Sequence, residues 1–160
     1  MKKAFATMLA AVALLASATG VSAKTFQSSQ TGLNANLPDD MTVVADEESA
    51  TVGQTADQNL VFSFHPMLTE GINEDAIGQM LTTVAAQADL SLDQMKKDDF
   101  KTKTLEGGLI YGTNADGVNL IIGLCGMPDN EAVAFLFTVT FDDSRAEDVQ
   151  AILDSLEVKF

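Results

Sequence analysis

The sequence predicts an α+β fold: a mainly antiparallel sheet of about six strands, packed by two main helices. Three observations carry this. Several short stretches alternate apolar and polar residues, the period of a half-buried strand. Two segments, around residues 73–88 and 144–156, repeat apolar residues every three or four positions, the period of an amphipathic helix. The last two strand segments are apolar on both faces, so the sheet needs cover on both sides.

The chain of 160 residues opens on the pattern of a secretory leader. Lys2 and Lys3 form a positive start, Ala4 to Ala18 is uncharged and mostly apolar, and Gly20 breaks the helix. Val21-Ser22-Ala23 then offers small residues at alternate positions to a signal peptidase. The apolar run, roughly 15 residues, is shorter than the ~20 needed to span a bilayer. Cleavage is expected after Ala23, leaving residues 24–160 as a single α+β domain in the periplasm or outside the cell. No Cys adjoins the cleavage site, so no lipid anchor is expected, and no later stretch is apolar and long enough to span a membrane.

Thr25 to Ser28 reads as a strand and Gln30-Thr31-Gly32 as a turn. Leu33, Ala35 and Leu37 alternate with Asn34 and Asn36, a half-buried strand ended by the turn Pro38-Asp39-Asp40. Met41 to Ala45 is a further strand, Asp46 to Gln58 a loop or weak hairpin, and Asn59 to His65 a strand that Pro66 ends. Asn73 is a natural N-cap, with Glu74 and Asp75 in the first turn. Ile72 is spaced to staple onto Ile77. Ala76, Ile77, Met80, Leu81, Val84, Ala85 and Ala88 form the apolar stripe of the first helix. A short turn is expected in Ser91 to Asp99.

From Phe100 the chain reads as a meander. Phe100 to Glu106 and Leu109 to Thr113 flank Gly107-Gly108 as a tight hairpin turn. Val118 to Cys125 and Ala132 to Phe141 follow, separated by turns at Asn114–Gly117 and Met127–Glu131. Ser144 and Glu147 fit a capping box for the second helix, whose stripe is Val149, Ile152, Leu153 and Leu156. Val158 and Phe160 end in an extended tail that suits an edge strand.

Charge and cysteine content exclude several function classes. The chain has 23 acidic and nine basic residues, for a net charge of −14. The leader holds two of the basic residues and none of the acidic ones, so the exported part is more acidic still. Nucleic acid and anionic membrane surfaces would repel it. Cys125 is the only cysteine, so the domain has no internal disulfide and stands on its core.

Catalytic motifs are sparse. His65 is the only histidine, so any Ser-His-Asp or Cys-His mechanism would run through it. His65-Pro66-Met67 and Cys125-Gly126-Met127 each place two soft or borderline ligands two positions apart. If these strand ends met, His65, Met67, Cys125 and Met127 would present the imidazole, thiolate and thioether set that copper prefers. Packing is the ordinary role of such Met and Cys residues. The acidic pairs Asp39-Asp40, Glu47-Glu48, Asp98-Asp99 and Asp142-Asp143 match neither an EF-hand loop nor a facing glycosidase pair, and read as solvated surface. Gly107-Gly108 lacks the Lys-Ser or Lys-Thr of a phosphate loop. No cofactor is implied.

The order of elements, the strand closing on Leu37-Pro38-Asp39, the strand ending Thr138-Val139-Thr140-Phe141 and the helix from Glu147 to Leu156 together resemble the PsbP-like fold. That resemblance implies a three-layer α/β/α sandwich around an antiparallel sheet, and a non-catalytic accessory or binding role. It carries over no functional residue. The first reading is therefore an exported binding domain for a protein partner or a small ligand, with contacts on Asp46–Gln58 and Pro66–Ile72. A hydrolase using carboxylates alone and a cation- or copper-binding protein are the alternatives.

Overall fold

Main-chain pairing gathers the extended segments into two sheets. The computed structural model describes residues 23–159; all but Ala23 of the leader expected over residues 1–23, and the tail residue Phe160, lie outside the described residues. Strands β1 (Ala23–Gln27), β2 (Leu33–Pro38) and β10 (Glu157–Val158) form a small sheet in the order β1-β2-β10. The main sheet holds β3 (Met41–Glu47), β4 (Ala50–Thr55), β5 (Leu60–Leu68), β6 (Lys96–Lys101), β7 (Glu106–Thr113), β8 (Asn119–Met127) and β9 (Asn130–Phe141). Its order is β3-β4-β5-β9-β8-β7-β6, with every pairing antiparallel. Helix α1 (Glu74–Gln87) joins the two halves of the main sheet, and α2 (Ala146–Ser155) follows β9. No helix among the described residues is long and apolar enough to cross a membrane.

Among the described residues the fold is thus α+β with two α-helices, as expected, but the main sheet has seven strands rather than about six and a second sheet stands beside it. Two strands escaped the apolar-periodicity criterion. On β4 the buried face is Thr51, Gly53 and Thr55, which no hydrophobic pattern marks. On β6 only Phe100 is buried, and the other positions are exposed Lys and Asp.

Alternation along the central strands divides the core in two. Ile121 and Cys125 of β8 and Phe135, Phe137, Val139 and Phe141 of β9 join Phe62 and Phe64 of β5 on one face. That cluster is closed by Leu33, Ala35 and Leu37 of β2 and by Val149, Ile152 and Leu153 of α2. The opposite residues, Leu120, Ile122 and Leu136, meet Ala85 of α1 together with Leu90 and Met95. Of α1 itself only Ala85 is fully buried; Met80, Leu81 and Val84 are half-buried.

Three local expectations are corrected. Gly107 and Gly108 lie inside β7 rather than in a turn; the hairpin turn is at Lys103-Thr104. A Cβ at Gly107 would sit 2.1 Å from the Leu124 carbonyl oxygen, so this glycine permits close approach of β8. Pro66 does not end β5, which runs on to Leu68. Thr69 N–H donates to Ala132 O, and hydrogen-bonded pairs alternate along an antiparallel ladder. Pro66 therefore turns its nitrogen away from β9, towards a side where β4 has already ended at the Thr51–Phe64 pair. The capping box at Ser144 and Glu147 does not form: Asp143–Arg145 is a 3-10 turn, and α2 starts from Arg145. A reciprocal cap occurs at Ser91 instead, whose N–H donates to Gln94 Oε1 at 2.9 Å. At α1 the Asn73 cap forms as expected, accepting from Ala76 N–H at 2.8 Å.

Among the glycines of the described residues, Gly123 admits the closest neighbour. Its direct partner across the ladder is Phe137, and a Cβ there would fall 2.0 Å from the Phe137 ring. The ring fills the place of the missing side chain and contacts Phe100, centroids 5.1 Å apart. Gly123→Ala is expected to cost about 1–3 kcal/mol through overpacking. Phe137→Leu shortens the ring away, so the double variant is expected to be more stable than the two separate losses predict. Urea denaturation of the four proteins measures this; strictly additive losses would contradict it.

Candidate functional site

One α-helix is too narrow for this sheet. A helix is roughly 10–12 Å across with its side chains, and neighbouring strands lie ~4.8 Å apart, so α1 shields about two strands. It lies over β8 and β9 through Ala85, Val84 and Ala88. Beside it, towards β6, the sheet stays open as a groove of about 540 Å³. The floor is Gly108 and Ile110 of β7 with Ile122 and Leu124 of β8, and Leu81 of α1 forms the wall. Lys97 pairs with Ile110 and Asp99 with Gly108, so both charged side chains share the groove's face and make its rim. A shallower hollow of about 390 Å³ lies at the β8–β9 turn, near Thr69, Met127 and Glu131.

The soft-ligand set read from the sequence is not brought together. His65 pairs with Leu136 and Met67 packs with the α1-side cluster, so both lie on the α1 face. Cys125 and Met127 pack into the opposite cluster. The sheet itself stands between the two pairs. Among the described residues no group of three or more His, Cys, Asp or Glu is placed to hold a metal ion.

The acidic pairs lie exposed at the surface, as read, whereas the proposed contact loops fall differently. Asp40 forms an ion pair with Arg145, and Asp143 accepts from Asn119 Nδ2 at 2.7 Å. Asp98 accepts from the neighbouring Asp99 N–H at 2.8 Å. Glu48 is exposed. Asp46–Gln58 is mostly the β3–β4 hairpin, and Pro66–Leu68 is strand, which leaves a short loop at Thr69–Asn73 beside the exposed Leu68.

Sequence reasoning passed over Arg145, the only arginine in the chain. That singularity was the available signal. Its Nε donates to Asn59 Oδ1 at 3.0 Å and its Nη1 to Asp148 Oδ2 at 2.7 Å, while Nη2 reaches Asp40. One planar fork thereby ties the β2–β3 turn, the start of β5 and the first turn of α2. Burial pulls the guanidinium's pKa down, but hydrogen bonding and charge from Asp40 and Asp148 outweigh it and hold it above its ordinary value. Burial raises the Asp148 carboxyl, against the opposing pull of Arg145. Asp57, in the β4–β5 turn, is held below the usual carboxylate range, first by the Thr55 hydroxyl and then by Asn59 N–H.

Cys125 is 3% exposed, and burial pushes its thiol up to about 12. A neutral buried thiol is inert, so the folded protein is expected to resist aromatic disulfide reagents at pH 8 and to label fully in denaturant. The unfolded thiol ionises from its ordinary value of 9.0, whereas the folded one holds its proton. The unfolded state therefore releases the proton first, and this residue's contribution to stability is lost as pH rises from about 9 towards 12. Rapid labelling of folded protein would contradict the placement of Cys125.

No known protein family and no curated protein matches the chain. A solved structure from Bacteroides thetaiotaomicron VPI-5482 is similar over 86% of this chain, with a TM-score of 0.51 and 15% sequence identity. The matched part is 48% of that structure's chain, so this protein spans about half its length. The likeness is one of fold.

Proposed function

We propose that this chain is an exported, non-catalytic binding domain whose ligand lies in the groove between α1 and β6–β7. The observation that carries this reading is the groove itself, an apolar floor of Ile110, Ile122 and Leu124 rimmed by Lys97 and Asp99. Concave sites of a few hundred Å³ with apolar walls and a few placed polar groups are the usual form of small-ligand sites. A ligand with an apolar body and a polar or charged end suits the combination. The groups whose protonation is displaced belong elsewhere: Arg145 and Asp148 clamp the start of α2, Asp57 sits in a turn and Cys125 packs on the opposite face. Catalytic acids and bases gather with such shifts in a cleft, so their distribution here favours binding over catalysis.

Export rests on the leader pattern over residues 1–23. In this reading the layers are α1, the main sheet, and α2 with the small sheet, the order of a three-layer sandwich of PsbP-like type.

Gly108 allows a clean test. A Cβ there meets nothing closer than Asp98 O at 3.6 Å, so a large side chain fits locally and fills the groove. The protein and its Gly108→Phe variant are compared by thermal shift against alkyl carboxylates, alkyl amines and short apolar peptides. At least one class is expected to raise the melting temperature of the parent by a few degrees, since a saturating ligand adds about 2.7 kcal/mol at 100 times its Kd. The variant is expected to lose that shift. No shift with any class, or an equal shift in the variant, would overturn the reading.

A further inference from the structure

The main sheet has two edges, and they are built differently. At β3 the ladder is broken by an irregularity between Val43 and Ala45, a device that blunts an edge. At β6 the register with β7 is regular from Lys96–Tyr111 to Lys101–Glu106. Thr102 N–H donates to Leu105 O, which makes those two a hydrogen-bonded pair, and such pairs alternate. Counting back, Lys96, Asp98 and Phe100 turn their N–H and C=O groups towards β7. Lys97, Asp99 and Lys101 turn theirs outward, and no strand lies beyond them among the described residues.

The exposed run Lys96-Lys97-Asp98-Asp99 then restricts what can pair there. When two copies of one strand pair antiparallel about an axis normal to the sheet, a residue on the axis faces itself. With Lys97 on the axis, lysine faces lysine and Asp99 faces Met95. With Asp99 on the axis, aspartate faces aspartate and Lys97 faces Lys101. With Asp98 on the axis, Lys97 faces Asp99 of the second copy, twice, and both are pairs whose backbone groups point outward. Directly opposed opposite charges stabilise a ladder, and like charges destabilise it. The central Asp98 pair is offset by Lys96 of each copy on the diagonal.

We propose that β6 is a self-pairing edge, through which two copies of this chain join antiparallel with Asp98 at the axis and Lys97 opposite the second copy's Asp99. The short bond from Asp99 N–H to Asp98 Oδ1 is exchanged for a backbone bond across the interface. An axis normal to the sheet keeps the faces alike, so the grooves beside both α1 helices open on the same side and meet at the shared strands. The inference stands on edge geometry and charge, and is independent of what the groove binds.

Sedimentation velocity over a concentration series at low salt tests it on the purified protein. The parent is expected to show a monomer–dimer equilibrium that weakens as salt is added. Lys97→Asp and Asp99→Lys are each expected to weaken association by about tenfold or more, because two attractive pairs become repulsive. The double variant Lys97→Asp/Asp99→Lys restores the pairing and is expected to recover the parent's association. Melting temperatures check that the variants fold; if a reversal unfolds, Lys97→Gln and Asp99→Asn replace it, with a smaller weakening expected. A parent that is monomeric at every concentration would overturn the proposal. So would a dimer indifferent to the single reversals, or a double variant as weak as either one.

Discussion

The fold depends on one close contact, the Phe137 ring seated where Gly123 has no side chain. It sets the register of β8 against β9 at the centre of the main sheet, since a slip of one residue would turn the aromatic face outward. From that point the aromatic layer extends both ways. Phe100 of β6 meets Phe137, and Phe64 of β5 stacks on Phe135 at 5.1 Å. Burying each such side chain contributes roughly 1.5–3 kcal/mol, so this layer alone exceeds any set of surface contacts. The small sheet and α2 then close over it, and the Arg145 fork fixes where α2 begins.

The groove is the counterpart of that arrangement. A sheet and a helix cover the aromatic face, while among the described residues the other face receives α1 and the short segment after it, through Leu90, Leu92 and Met95. The uncovered strip beside α1 is therefore a geometric consequence of strand number. Its residues were chosen to suit exposure on one side, with Lys97 and Asp99 at the margin and Ile110 and Ile122 beneath. The shallow seating of α1, with Ala85 its one fully buried residue, makes the groove's wall the more yielding part of the structure.

What the sequence made legible follows from the physics of each signal. Asn73, the apolar stripe of α1, and the two-sided β8 and β9 were readable because they rest on local periodicity and capping. The strands β4 and β6 were not, because an edge or a Thr-Gly face carries no hydrophobic alternation. Gly107-Gly108 and Pro66 misled for a related reason. Both are turn formers when only the neighbouring residues count, yet a crowded strand pair needs glycine, and an open side tolerates proline. Of the candidate site residues, His65 and Met67 were separated from Cys125 and Met127 by the parity of strand positions, which no spacing within one segment can reveal. The groove draws on α1, β6, β7 and β8, so its residues converge only once strand order is known.

Native-state hydrogen exchange tests the central claim most directly. If the Phe137–Gly123 contact and its aromatic layer carry the stability, the amides of Phe62, Phe64, Phe137 and Val139 exchange only through global unfolding, and those of Leu81 to Ala86 in α1 exchange well above that limit through local opening. Amides of α1 as slow as those of β9 would contradict the account, because the helix would then be an integral part of the core and not a loosely seated wall.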